Sequence, residues 1–293
     1  MKVGKISEVW RYPVKSMAGE RIASAQFDAY GMIGDRAWAA IDSSTGDVGW
    51  GKSHPKLMNL QARYTHEPLP HRAYCEDVPP VAINFPAGEV ALSEGNADVM
   101  ISDYIGAPLQ LRPLEPPENR EHYRWQKPAD YESLLKILGI GPNDPPPDMS
   151  AYSESTIELL AEYFSPPGTY NDMFPVHMLT SSSIEHMEHQ SGETFQLQRF
   201  RPNLLIDTEA GVKGLIEFDW IGRSLTIGES QFKVESKTIR CSMPARAQAP
   251  YGLEQNPAIA KSLFLETQRF FGAYLSITKP GNVQVGDDVI LSD

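Results

Sequence analysis

Short apolar runs separated by turn formers dominate the chain, and helical periodicity is confined to a few places. Val3, Ile6, Val9 and Trp10 mark an opening strand over Lys2 to Trp10 that Pro13 interrupts. Ala23 to Phe27 and Ala37 to Ile41 predict two more, the second closed by the turn cluster Asp42-Ser43-Ser44-Thr45-Gly46. Within Asp98 to Leu111, Ile101, Tyr104 and Ile105 predict a short helix ending at Gly106, then a strand through Leu109 and Leu111. From Pro113 to Pro147 prolines crowd around one apolar run, Tyr131 to Ile140. Proline removes backbone donors and fixes φ, so this stretch reads as a linker or long surface excursion with at most one helix.

The second half is mixed. Ser155-x-x-Glu158 is a capping box for a helix carrying Ile157, Leu160, Ala161 and Phe164 on one face, stopped by Pro166-Pro167-Gly168. Ser182-x-x-Glu185 opens a shorter one with Ile184 and Met187. Asn256-Pro257 starts a third through Ile259, Leu263 and Phe270, stopped at Gly272. Strands are expected at Leu204 to Asp207, Leu225 to Ile227, Phe232 to Thr238 and Val283 to Leu291, the last with a Gly286-Asp287 turn signal. The class is therefore mainly β with peripheral helices (α+β), in two β-rich lobes: residues 1–113, a proline-rich connection 114–150, and residues 151–293.

Charge narrows the function classes. Over 293 residues, 26 basic and 38 acidic side chains leave a net −12. Generic nucleic-acid binding needs a positive field, so any anion held here requires a locally basic pocket. Two distant cysteines, Cys75 and Cys241, exclude a disulfide scaffold or a Cys-rich metal module and suit a reducing, cytoplasmic setting. The N-terminus lacks an apolar signal region and no run approaches a membrane span, so no membrane association is expected.

Four strings join a turn to a cation or a nucleophile. Tyr12-Pro13-Val14-Lys15-Ser16 presents an ammonium and a hydroxyl at a proline-fixed turn, half of a phosphate site. Gly31-x-x-Gly34-Asp35-Arg36 can aim Arg36 into a cleft. In Arg199-Phe200-Arg201-Pro202-Asn203 two arginines on an extended segment share one side, suiting phosphate or a planar heterocycle. In Arg240-Cys241-Ser242-Met243-Pro244 the guanidinium favours a thiolate, a soft ligand for a transition metal, whereas Cys75 reads as a small buried hydrophobe. His186 and His189 lack a second metal-ligand string and read as a solvated face. Nucleotide-loop and dinucleotide fingerprints are missing.

Taken in order, these strings resemble the MOSC family, named for the molybdenum cofactor sulfurase C-terminal domain. Tyr12 to Ser16, Gly34 to Ile41 and Gly51 to Leu57 are similar to the N-terminal β-barrel-like domain that accompanies it. Pro175 to Thr180, Ser181 to Ser183, Arg199 to Asn203, Glu217 to Trp220, Arg240-Cys241 and Pro280 to Asp287 are similar to the MOSC domain. The resemblance implies a β-barrel MOSC domain packed on the N-terminal domain, with a molybdopterin cofactor at the junction. It implies Lys15, Ser16, Arg36 and Arg201 around phosphate and pterin, Thr180, Ser181, Ser182 and Asn203 completing the polar shell, and Cys241 as the molybdenum ligand; against the acidic balance, Arg199 and Arg240 join Lys15, Arg36 and Arg201 as a candidate anion pocket that binds the cofactor.

The chain departs from the family pattern after the cysteine, where Ser242 to Gln248 replaces a threonine and an Asp-Pro pair. It also has no ferredoxin-type cysteine spacing. The implied activity is reduction of small N-hydroxylated or N-oxide compounds, with electrons from a separate protein of ferredoxin or flavin-reductase type. The alternative is a sulfur carrier, or sulfurtransferase, working through a persulfide on Cys241.

Overall fold

The computed structural model describes residues 1–126, 148, 150 and 152–293. The apolar run Tyr131 to Ile140, with the helix it allowed, lies outside the described residues. Up to residue 113 the chain forms β1 (Lys2–Arg11), β2 (Glu20–Ile22), β3 (Ser24–Asp28), β4 (Gly31–Met32), β5 (Trp38–Asp42), β6 (Gln61–Tyr64), β7 (Val81–Asn84), β8 (Val90–Leu92) and β9 (Leu109–Pro113). The later strands are β10 (Val176–Thr180), β11 (Leu204–Thr208), β12 (Ser224–Ile227), β13 (Ser230–Ile239), β14 (Phe270–Lys279), β15 (Gly281–Gln284) and β16 (Asp288–Ser292). The mainly β class follows from alternation: in β13, Phe232 and Val234 are buried while Gln231 and Lys233 are exposed.

Seven strands close a barrel in the order β11-β10-β14-β13-β12-β16-β1, and β1 pairs back onto β11. The opening ten-residue strand is thus a stave of a barrel otherwise built after residue 175. Ile6, Val9, Met178, Ile206, Phe232 and Leu275 fill its interior. β10 and β11 are parallel, and parallel neighbours need a crossover. Helix Ser181–Ser191 supplies it, and Leu197 to Asn203 brings the chain back to β11. A second core forms around the β5-β9 and β6-β7-β8 ribbons, with Val14, Leu57, Ile83, Ile101 and Leu109. Leu114 and Tyr123 are buried there too, so the proline-rich stretch begins as packed chain.

Helix boundaries differ from the sequence expectation for identifiable reasons. Ser153, not Ser155, caps helix Glu154–Glu162 by accepting from the Thr156 amide, and none of that helix's residues is buried. Thr180, not Ser182, caps Ser181–Ser191. Asn256 caps Pro257–Thr267 as expected, but Gln268 ends it with φ +54°, so Phe270 and Gly272 belong to β14. The expected strand Val283 to Leu291 is broken at its turn into β15, which pairs with β3, and β16, which joins the barrel.

Gly272 is required where it stands. Its φ is +81°, and a Cβ there would run into His177 Nε2 and the Met178 carbonyl across β10. Gly272→Ala is expected to lower the unfolding free energy by about 2 kcal/mol or more. Urea denaturation checks this, and a loss below about 0.5 kcal/mol would contradict the close approach.

Candidate functional site

The loops after β1 and β5, the segment before β10, the return to β11 and the end of β13 meet at one cleft of about 790 Å³, counting its open mouth. Of the residues expected to act together, Lys15, Ser16, Arg36, Arg199, Arg201, Asn203, Arg240 and Cys241 line it; Thr180, Ser181 and Ser182 do not. Ser16, Arg36 and Arg201 hold left-handed backbones with φ +69°, +48° and +54°. Non-glycine residues reach that region only when their surroundings hold them, and such strain gathers at functional sites. Here the Arg36 amide donates to the Tyr12 carbonyl at 2.7 Å, and the Gly51 amide to Ser16 Oγ at 2.9 Å.

The cations differ in what they have left to offer. Lys15, 4% exposed, donates to the Tyr170 carbonyl at 2.7 Å and to Asp172 at 2.6 Å. Burial lowers its pKa, against the pull of Asp172. Arg199 does not lie on an extended segment beside Arg201. It closes the 3₁₀ turn Leu197–Arg199, and its guanidinium donates to the carbonyls of Pro244, Arg246 and Glu254. It therefore bolts down the loop that follows Cys241.

Arg36 and Arg201 both lie over the Tyr12 ring, at 5.0 and 4.3 Å from its centroid. Arg36 pairs with Asp35, and Arg201 Nη1 donates to the Met17 carbonyl. Arg240 Nη2 donates to the Phe200 carbonyl at 2.8 Å. Two buried nitrogens lining the cleft, Arg201 Nη2 and Arg240 Nε, have no hydrogen-bond partner among the described residues. Burial pushes both guanidinium pKa values down, and Arg36 adds to the effect on Arg201. A buried donor without an acceptor costs about 1–3 kcal/mol, so this arrangement favours an anionic or acceptor-rich ligand.

Several lining residues carried no expected role: Trp50, Lys52, Asp172, Phe174, His177, Met243 and Tyr274. His177 is 6% exposed, and its Nε2 lies 3.5 Å from Arg240 Nη1. Burial, then Arg240 and Arg36, hold its pKa well below the usual histidine value, so the ring is neutral. Burial opposes ionisation of Asp172, but Lys15, Lys52 and Arg36 outweigh it and pull its pKa far down. His177 and Lys52 stand in strings that the family resemblance quotes; Tyr274 lies two residues past the expected helix stop at Gly272, in a stretch to which the sequence pattern assigns no element.

Thr180 to Ser183 serve a different purpose. Thr180 Oγ1 donates to Glu217 Oε2 at 2.8 Å, Ser183 donates to the same oxygen, and Ser181 Oγ accepts from the Thr208 amide at 3.0 Å. Glu217 is fully buried, and its Oε1 has no hydrogen-bond partner among the described residues. Cys75 is not the buried hydrophobe expected, being partly exposed with its thiol 3.4 Å from Glu115. Among the described residues no group of three or more His, Cys, Asp or Glu could hold a metal ion.

The profile of the MOSC domain matches residues 166–290, and that of the MOSC N-terminal beta barrel domain matches residues 3–100. The chain belongs to the MOSC family. This MOSC protein is 25% identical to mitochondrial amidoxime reducing component 2 of Bos taurus, over 98% of this chain and 83% of that one. It is 22% identical to mitochondrial amidoxime-reducing component 1 of Homo sapiens, over 99% and 83%. The YUAD protein of Bacillus subtilis overlays on 99% of the chain and 95% of its own, at 10% identity and a TM-score of 0.45. Among the described residues no helix is long and apolar enough to cross a membrane.

Burial raises the Glu217 pKa above the usual 4.5, although Ser183, its own backbone amide and Thr180 pull the other way. A carboxyl whose folded pKa is raised contributes stability that is complete below the unfolded pKa and is lost as pH rises through the folded one. The unfolding free energy of wild type minus that of Glu217→Gln should therefore fall as pH rises from about 4 to 7. Denaturation across that range checks it; wild type gaining stability relative to the variant as pH rises would contradict the direction.

Proposed function

We propose that this MOSC protein is a molybdenum-cofactor-dependent oxidoreductase that reduces small N-hydroxylated or N-oxide compounds, with electrons from a separate ferredoxin- or flavin-reductase-type protein. The observation that carries this reading is the pair of unpartnered buried guanidinium nitrogens, on Arg201 and Arg240, in a cleft whose wall includes Cys241. Molybdopterin fits that donor set, because its phosphate and ring acceptors suit guanidinium forks and its metal suits a thiolate. Amidoxime reduction, which names the relatives, belongs to the same reaction class.

In this reading Ser16, Arg36 and Arg201 hold phosphate and pterin, Arg240 completes the cationic wall, and Cys241 is the protein ligand to molybdenum. Lys15 and Arg199 act one layer out: Lys15 fixes Asp172 and the 170–172 segment, and Arg199 fixes the carbonyls of the Cys241 loop. Neutral His177 adds no charge to an already positive cleft. Trp50, Phe174, Met243 and Tyr274 give the wall an apolar component that restricts water. The bound cofactor supplies the two-electron, oxygen-accepting chemistry. Across the reaction the N–O bond breaks, two electrons and two protons enter, and the amine or amidine leaves with one water. Persulfide relay on Cys241 would need the thiol but not the buried cations around it.

Cys241→Ala is expected to cut amidoxime reduction by an artificial electron donor about 100-fold or more while the folded fraction stays unchanged. Wild-type turnover in that variant would contradict the assignment. Arg201→Ala should leave the fold intact and lower the pterin recovered per chain, and unchanged recovery would remove Arg201 from the site. Mass spectrometry after incubation with a cysteine desulfurase should show no persulfide on Cys241; a stable adduct would favour the carrier.

A further inference from the structure

The two sides of the cleft touch at one point on its rim. A Cβ on Gly51 would come within 2.8 Å of Met243 Cε, 3.1 Å of Met58 Cγ and 3.3 Å of Met58 Sδ. The Met243 methyl group therefore packs on the bare backbone of Gly51, and a side chain at residue 51 would displace it. Trp50 and Lys52, on either side of Gly51, line the cleft from the N-terminal lobe, while Met243 lines it from the stretch after Cys241. The contact thus joins the two walls.

Both backbones at this contact are held. Ser16 Oγ accepts from the Gly51 amide at 2.9 Å. Trp50 is packed against Trp125, and the Lys15 and Lys52 ammonium groups lie over its ring, 5.4 and 4.4 Å from the centroid. Met58, 2% exposed, completes the seat. Across the cleft, Met243 opens the 3₁₀ turn Met243–Ala245, and its carbonyl accepts from the Arg246 amide at 3.0 Å. The Asn256 amide donates to the Ala245 carbonyl at 2.8 Å, and Arg199 holds the carbonyls of Pro244 and Arg246. What stays adjustable is the Met243 side chain, unbranched and with three rotatable bonds. It stands two residues from Cys241, itself partly exposed in the same cleft. Met243 also falls within Ser242 to Gln248, where the chain departs from the family pattern.

We infer that Met243 is a specificity-determining residue: seated on Gly51, its side chain narrows the approach to Cys241, so the cleft admits compact molecules and turns away bulky ones. The filter concerns access to the thiol; that it sorts reductase substrates rests on the proposed function.

The test reads access first and turnover second. Full-length, cofactor-free Cys75→Ser protein, in which Cys241 is the one remaining thiol, is alkylated with iodoacetamide and with its N-tert-butyl analogue. In both reactions the thiolate displaces iodide, so the thiol's own pKa cancels in the ratio of the two rates. That ratio, bulky over compact, should be about tenfold lower on the protein than on free N-acetylcysteine, because forcing extra methyl groups past a packed contact is costly. Met243→Ala should restore most of the ratio, and Met243→Gln, of similar length, should keep it low. A ratio equal to that of the free thiol, a low ratio unchanged by Met243→Ala, or one restored equally by Met243→Gln would overturn the inference. On the holoenzyme the same filter should appear as a lower kcat/KM for pivalamidoxime than for acetamidoxime, a gap that Met243→Ala narrows. A filter on the thiol with turnover of neither compound would sustain the inference and count against the reductase reading. Turnover of both with no filter on the thiol would do the opposite.

Discussion

The cleft depends on one buried amide. Asn203 is 1% exposed, and its side chain donates to Asp35 Oδ2 at 3.0 Å and to the Trp10 carbonyl at 3.3 Å while accepting from the His177 amide at 3.2 Å. Its backbone donates to the His177 carbonyl at 2.7 Å and accepts from the Trp10 amide at 2.8 Å. Asp35 in turn accepts from the Tyr12 amide at 2.8 Å and pairs with Arg36. Four chain segments, far apart in sequence, are thus fixed relative to one another by one satisfied polar network. In a dry interior such a network specifies a single arrangement, because any other leaves donors without acceptors.

That knot makes the crowding of cations possible. Burial works against the charge of both Arg201 and Arg240, and Arg36 adds to the effect on Arg201, so these guanidiniums stay together only because their backbones are held. Tyr12 absorbs part of the repulsion through its ring face, and the Phe200 and Met17 carbonyls absorb more. The remainder stays in the fold as unpartnered nitrogens and left-handed backbones. A ligand that brings acceptors and negative charge relieves both at once, so the same geometry that strains the free protein preorganises it for binding.

The sequence carried the fold class and much of the cleft because turns, cations and a lone thiol are visible one residue at a time. Lys15, Ser16, Arg36 and Arg201 stand out by composition, and the barrel follows from short alternating runs. Partnership is not visible in that way. Arg199 and Arg201 look equivalent in the string, yet a 3₁₀ turn sends Arg199 to three carbonyls and leaves Arg201 facing the cleft. Thr180 to Ser183 look like ligand-binding hydroxyls, but a parallel crossover starts there and its cap, with Glu217, takes them. Lys52 and His177 acquire meaning only when the barrel brings their loops to the same opening. Helix ends failed where a non-glycine left-handed residue, Gln268, does the work that sequence patterns assign to glycine.

The central claim is that this cationic cleft retains a molybdenum–pterin group. The direct measurement is molybdenum by elemental analysis together with released pterin, on monodisperse protein purified from a host that makes the cofactor. About one molybdenum and one pterin per chain are expected. Folded, monodisperse protein from that host carrying neither would contradict the claim.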